Sequence, residues 1–432
     1  MTDTKDISLN PGTVHPTLST YSSLSKSTTT HHLLHVGDNT HLPHKPLVQI
    51  GLGLQGAVFE HITHPTEAIK KEHTLNAHLA TNLTNEVGIH RKVWKAFRKY
   101  KRLLIVREDK KKGKVKDKKE DKKEDAMEDK VEEEDEDEEE EEEEDEDMDD
   151  WDAYEQYDDD DDAKKDNARA VKVPEIIDYC GDADDDIWRK RLRFFPEGYQ
   201  TKGAVVVMER ILPLTKEGRK ALVERFVDVG AKEEVLSREE NKHCLVRTYL
   251  GRTKGKAGPK TDEQGRVSLR NLPLYLEGLR EMGVDVVALA EKMGRAFAVM
   301  HWGAGVDGDD VEFVLGTEVK AGADKDKDEC GFQERVVGLW LLDFGQCKQV
   351  SFGEGGEEAV KEVYQEFRGA MVMGDNRDFI PSCVDKESKE VWVGFRRGYT
   401  AAGKAVLKER RLQGYDVEEF ITSYEEYAVD FP

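Results

Sequence analysis

The chain has 432 residues, with 66 Lys and Arg against 91 Asp and Glu, a formal net charge of −25. That charge has an address: residues 125–162 hold 28 acidic residues and one lysine, a net of −27, so the remainder holds 65 basic and 63 acidic residues, a net of +2. The excess belongs to one segment and says little about the rest of the surface.

No run of 18 apolar residues is present to cross a membrane, and no secretory leader pattern is visible at the N-terminus. Cys180, Cys244, Cys330, Cys347 and Cys383 are scattered and never form C-x-x-C. That pattern argues against a zinc site or a disulfide framework and fits a reducing compartment, cytoplasm or nucleus.

Residues 1–45 are rich in Ser, Thr, His, Asn and Pro without apolar periodicity and read as a disordered tail. Eleven of the thirteen histidines precede Arg91, but their spacing is irregular and lacks a Cys partner, which argues against a metal site. A first ordered block, 46–105, reads as strands at 47–50, 57–60 and 67–71, then a helix over 82–100 with Leu83, Val87, His90, Trp94 and Phe97 on one face. Residues 106–169 are low-complexity, lysine-rich and then acidic, and read as a solvated insert.

Order is expected to return over 170–213, with strands at 171–180 and 204–209. Beyond it, 214–432 reads as mainly helical, with helices at 217–229, 241–250, 272–282 and 285–301. Two short strands at 312–315 and 338–342, separated by a charged loop, precede further helices over 357–427.

Several residues in this frame suit chemistry. Gly51-x-Gly53-x-x-Gly56-x-Val58 is a strand–glycine–strand pattern. Glycines let a hairpin lie close over phosphates with its N–H groups free to donate. A dinucleotide fingerprint needs a helix straight after the glycines, and a strand follows here instead. Lys70 ends the apolar Ala68-Ile69 step, and Glu86 sits at the edge of the inward face of the next helix, able to pair with it. Asp343-Phe344-Gly345 follows an apolar strand, and its carboxylate suits a hard ion such as Mg²⁺. The bland alternatives are a structural hairpin, a solvated lysine, a surface glutamate and a solvated acidic turn.

Taken in order, the glycine hairpin, Lys70, Glu86, the strand end at Met208-Glu209 and Asp343 resemble the protein-kinase-like superfamily, including its aminoglycoside and choline phosphotransferase branches, over roughly 47–350. The resemblance implies an α+β, two-lobed fold, with a small β-rich lobe from 46–105 and 170–213 and a helical lobe from 214–432. It further implies ATP under Gly51, Gly53, Gly56 and Val58, with Lys70 on the phosphates, Glu86 holding Lys70, Met208 near the base and Asp343 on Mg²⁺.

The central loop departs from that pattern. Aligning Asp307-Gly308-Asp309 on His-Gly-Asp makes Asp309 the base. Counting five residues back from Glu312 makes Asp307 the base and puts Glu312 in the metal-binding asparagine position. Asp310 is the third candidate, and no Ala-Pro-Glu follows. A divergent phosphotransferase, a pseudokinase and an interaction protein all stay open.

A second resemblance rests on His301-Trp302-x-Ala304-Gly305-x-Asp307-x-x-Asp310-Val311-Glu312-Phe313-Val314-Leu315, on Leu339-Trp340-x-Leu342-Asp343-Phe344 and on residues 241–251. These look like a fungal domain family of unknown function whose members are often labelled zinc finger proteins. No zinc is expected here, because no zinc-ligand spacing is present. As to partners, residues 125–162 suit basic proteins such as histones. Lys110, Lys111 and Lys112 resemble part of a nuclear localisation signal, and direct nucleic-acid binding is disfavoured beside so dense a polyanion.

Overall fold

The computed structural model describes residues 23–26, 47–53, 56–61, 64–72, 83–105, 170–181, 191–252, 259–261, 265–319, 332–353 and 356–431. The rest of the N-terminal tail and the whole 106–169 insert lie outside the described residues.

The architecture is mixed α and β. Strand β1 (Ser23–Lys26) falls in the tail and pairs with a late strand. β2 (Leu47–Leu52), β3 (Gly56–His61) and β4 (His64–Glu72) follow, then α1 (Leu83–Lys99), β5 (Ile176–Cys180) and β6 (Val205–Glu209). These five strands make an antiparallel sheet in the order β2-β3-β4-β6-β5. One face of the sheet buries Leu47, Phe59, Ile69, Val205 and Val207 together with Phe195. On the other face Ala204 and Val206 pack against Leu83 and Val87 of α1.

After β6 come α2 (Lys216–Phe226) and α3 (Lys232–Ser237). β7 (Val246–Tyr249), the small β8 (Lys260–Thr261) and β9 (Val267–Ser268) ladder, and β10 (Leu272–Tyr275) are next. α4 (Leu276–Glu281) and α5 (Val286–Ala298) precede β11 (Glu312–Val319) and β12 (Phe332–Leu342). The chain then runs through α6 (Gly356–Val372), α7 (Asn376–Phe379), α8 (Lys389–Arg410) and α9 (Val417–Ala428).

The 214–432 region is therefore less helical than its sequence suggests. Four of its strands, joined by β1 from the tail, make a second five-stranded sheet, β1-β12-β11-β7-β10. The expected helix over 241–250 is a 3₁₀ turn followed by β7, and the one over 272–282 is β10 followed by the short α4. Val246, Thr248, Leu272 and Leu274 are fully buried in adjacent parallel strands, so long-range pairing overrides the local helical pattern. The two late strands are longer than expected, because β11 and β12 pair continuously from Glu312↔Leu342 to Val319↔Arg335.

α5 is amphipathic as its spacing predicts, burying Val286, Leu289, Met293 and Phe297. Its C-terminal end widens into a π-helical turn, Val299–Ala304, which buries His301 and Trp302. α5 and α8 approach backbone to backbone: a Cβ on Gly294 would overlap the carbonyl oxygen of Phe395, and one on Gly398 that of Glu291. The main core is continuous from α5 and α8 to Val93, Ala96 and Phe97 in the second half of α1. α1 thus belongs to both layers, packing on the first sheet at its start and in the main core at its end.

Candidate functional site

Lys70 stands near the end of β4, opposite Val58 on β3 and Val206 on β6. Its Nζ donates to both oxygens of Glu86, at 2.6 and 2.8 Å, and reaches Asp343 Oδ1 at 3.5 Å. Three distant elements, β4, α1 and the loop after β12, therefore meet at one ammonium. Burial lowers the Lys70 pKa, but the charges of Asp343 and Glu86 outweigh it and the net direction is up. Glu86 is also raised, because burial and the second carboxylate at Asp343 outweigh Lys70.

Asp343 sits in the left-handed region at φ 64°, where β12 ends, with its side chain 42% exposed. Phe344 is fully buried and its ring lies 4.9 Å from that of His90 on α1. His90 Nε2 donates to the carbonyl of Pro174 at 2.7 Å, so its other nitrogen is unprotonated, and burial pushes the ring down to about 4. Phe344 and His90 thus fix the turn that presents Asp343 to Lys70.

The glycine hairpin is closed by the Gly53 N–H donating to the Gly56 carbonyl at 2.9 Å. Gly56 is required by β4 rather than by a ligand, because a Cβ there would overlap the Lys71 carbonyl oxygen. A Cβ on Gly51 would make ordinary contact with Val58, and one on Gly53 with the Gly56 carbonyl oxygen. Arg270 Nη2 donates to the Gln49 carbonyl at 3.3 Å, tying β2 to the segment just before β10. No local pattern around Arg270 signals that tie. Met208 is half-buried and packs with Ile176 and Tyr179 against the α1 cluster. The N–H groups of the next two residues are already used, Glu209 on the Glu175 carbonyl and Arg210 on the Thr66 carbonyl.

The central loop is held from below by His301. Its Nε2 donates to the Asp307 carbonyl at 3.0 Å, so its Nδ1 accepts from the Tyr399 hydroxyl at 2.8 Å. Burial pushes this imidazole down to about 3, and it stacks on Phe367 at 4.2 Å. The three candidate aspartates are treated differently. Asp307 Oδ1 accepts from the N–H groups of Lys348 and Asp309, at 2.8 and 3.2 Å, and burial raises its carboxyl to about 6. Asp310, at φ 57°, accepts the Asp375 N–H at 2.8 Å. Among the described residues no backbone N–H bonds the half-buried Asp309 carboxylate; burial and Asp310 raise its pKa.

Cys347 shows how these groups converge. Its thiol is pushed well above its ordinary value by burial and by the charges of Asp307, Asp309, Asp343 and Glu86. Its Sγ donates to the Asp309 carbonyl at 3.3 Å.

Glu312, expected from the sequence as a metal ligand, lies beside an arginine. It forms an ion pair with Arg247 on β7, whose Nη1 also reaches Asp375 at 3.0 Å and the Tyr249 hydroxyl at 3.0 Å. Burial, with Asp343 and Asp375, raises Glu312 to about 7 against the pull of Arg247. Arg247 lay inside a segment expected to be helical, so its partner could not be read from the sequence.

Among the described residues no group of three or more His, Cys, Asp or Glu side chains is arranged to hold a metal. The described cysteines, Cys180, Cys244, Cys347 and Cys383, are free thiols in separate places, and Cys330 lies outside the described residues. Asp343 is the one expected metal ligand left uncommitted to an arginine, so a divalent ion here would draw most of its oxygen ligands from elsewhere, as it does from nucleotide phosphates. No helix of the described residues is long and apolar enough to cross a membrane.

A model of a family of unknown function, described as zinc finger protein, matches residues 339–411. The match runs from the middle of β12 to the end of α8. Over these residues the chain is similar to that family. Of the three segments that carried the second sequence resemblance, Leu339 to Phe344 falls inside the match, and 241–251 and 301–315 fall outside it. No curated protein and no solved structure matches the chain.

Proposed function

We propose that the chain is a divergent protein-kinase-like, two-lobed protein that binds Mg-ATP between the β2–β6 sheet and the loops after α5 and β12. One observation carries the reading: the Lys70 ammonium is shared between Glu86 and Asp343, which the chain separates by 16 and 273 residues. A lysine held by a helix glutamate and facing an aspartate, on a sheet that carries a glycine hairpin, is an arrangement for a polyphosphate with its cation. The nucleotide would supply the transferable phosphoryl group. The protein would supply Lys70 against the phosphates, Asp343 toward the metal, and Ala68 and Val58 as apolar wall.

Phosphoryl transfer needs an acceptor of the substrate hydroxyl proton. Asp307 and Asp310 are committed to backbone N–H groups, which leaves Asp309 as the base this geometry favours. A pseudokinase is the second reading, favoured by the Arg247–Glu312 pair, which neutralises the position from which a second metal would be held. Residues 125–162 give the chain a separate capacity to attract basic proteins by long-range charge.

Thermal denaturation with and without Mg-ATP tests the nucleotide reading. Saturation at 100 times Kd adds about 2.7 kcal/mol to the folded state, and Lys70→Ala or Asp343→Ala should remove the gain. No shift at millimolar Mg-ATP would overturn the reading. If the shift is present, phosphate transfer or release separates the phosphotransferase from the pseudokinase.

A further inference from the structure

We propose that the acidic segment 125–162 docks on the outer face of α1 of its own chain. From residue 87 to residue 105 the chain contains no Asp or Glu. Arg91, Lys92, Lys95, Arg98, Lys99 and Arg102 are all exposed there, while Val93, Ala96, Phe97 and Tyr100 between them are buried. Positions 91, 95 and 98 recur at helical spacing and form one basic stripe on α1, and Arg102 follows in the 3₁₀ turn Lys101–Leu104. Like charges at these spacings repel, and helix C-terminal partial charge offsets only the last turn.

Three of these cations have neighbours that carry little net negative charge. Lys99 meets Glu409 on α8 at 3.3 Å, but Glu409 is flanked by Lys408, Arg410 and Arg411. Lys92 donates to the neutral amide of Gln349 at 2.7 Å, and Arg98 lies over the Trp94 ring at 4.9 Å.

The occupant is identified by charge and by position. The chain leaves this face at Ile105, and the stretch with a net charge of −27 begins 20 residues later, at Asp125. Twenty extended residues reach about 65 Å, more than twice the roughly 25 Å length of a 17-residue helix. A polyanion tethered this closely acts at an effective concentration on the order of millimolar. It therefore excludes untethered anions from the stripe, and a basic partner of the segment must compete with α1 for it. The proposal does not depend on nucleotide binding.

Zero-length carbodiimide cross-linking of the full chain, followed by peptide mapping, tests this. The expected result is amide links from Lys92, Lys95 or Lys99 to Asp or Glu within 125–162. Their yield should not change on tenfold dilution, and should fall at least about tenfold in 1 M NaCl, where charges are screened beyond about 3 Å. The triple variant Arg91→Glu, Arg98→Glu, Arg102→Glu should lose the links while its lysines remain as reporters. Should that variant fail to fold, the salt series on the unaltered chain still decides. Links confined to lysines 110–123, links whose yield falls with dilution and so report a second copy, or links unchanged by salt would each overturn the proposal.

Discussion

Arg247 on β7 is ion-paired with Glu312, the first residue of β11, and through its other amino group with Asp375. The pair joins neighbouring strands of the second sheet next to Asp343, whose charge is felt at Glu312. Arg247→Met should cost about 1–3 kcal/mol, because it strands two carboxylates in a half-buried site. A double-mutant cycle with Glu312→Gln should give a coupling of about 1 kcal/mol or more. Because the Glu312 carboxyl is raised to about 7, it ionises as pH rises through 7, so the coupling should be larger at pH 8 than at pH 6. Denaturant unfolding at both values measures it, and a coupling of zero at pH 8 would refute the pairing.

Asp307 and Asp309 lie two residues apart and should separate stability from chemistry. Asp307→Asn disturbs a carboxylate that bonds two backbone N–H groups beneath the loop and should cost about 1–3 kcal/mol. Asp309→Asn should leave unfolding within about 0.5 kcal/mol. If the chain transfers phosphate, Asp309→Asn should reduce kcat by about 100-fold or more with nucleotide binding intact. The opposite ranking in unfolding experiments would remove Asp309 as the favoured base.

His301 should make the protein acid-sensitive in a defined way. Its folded pKa, about 3, lies below the unfolded value of about 6.5. Its contribution is therefore fully present above pH 6.5 and is lost as pH falls toward 3. The loss approaches about 1.4 kcal/mol per pH unit within that window. His301→Gln removes this dependence, so the stability gap between the two proteins should narrow from pH 7 to pH 5. A gap that stays constant would show that the imidazole is not held neutral. Asp307 and Glu312, raised to about 6 and 7, act in the opposite sense and flatten the whole-protein profile.

The α5–α8 crossing depends on missing side chains. Gly398→Ala places a methyl against the Glu291 carbonyl, and Gly294→Ala places one against that of Phe395. Backbone cannot give way as a flexible side chain can, so each should cost about 1–3 kcal/mol despite the better helix propensity of alanine. Stabilisation by either substitution, read from the melting temperature, would show that the helices can separate at no cost.

The amino-acid order alone determined the local units: the glycine hairpin, the helix carrying Glu86, the amphipathic α5 and the address of the negative charge. Each depends on spacings of a few residues, where periodicity and turn chemistry act directly. Tertiary structure decided the rest. Residues 246–249 and 272–275 are strands because partners distant in sequence bury them, which no local pattern encodes. Lys70, Glu86 and Asp343 come together only when β12 ends beside α1 with Phe344 under His90. Glu312 meets Arg247 only because β7 pairs beside β11. Short-range preference fixes an element, whereas burial among distant segments fixes which charges meet, and in this protein the candidate site is made entirely of such meetings.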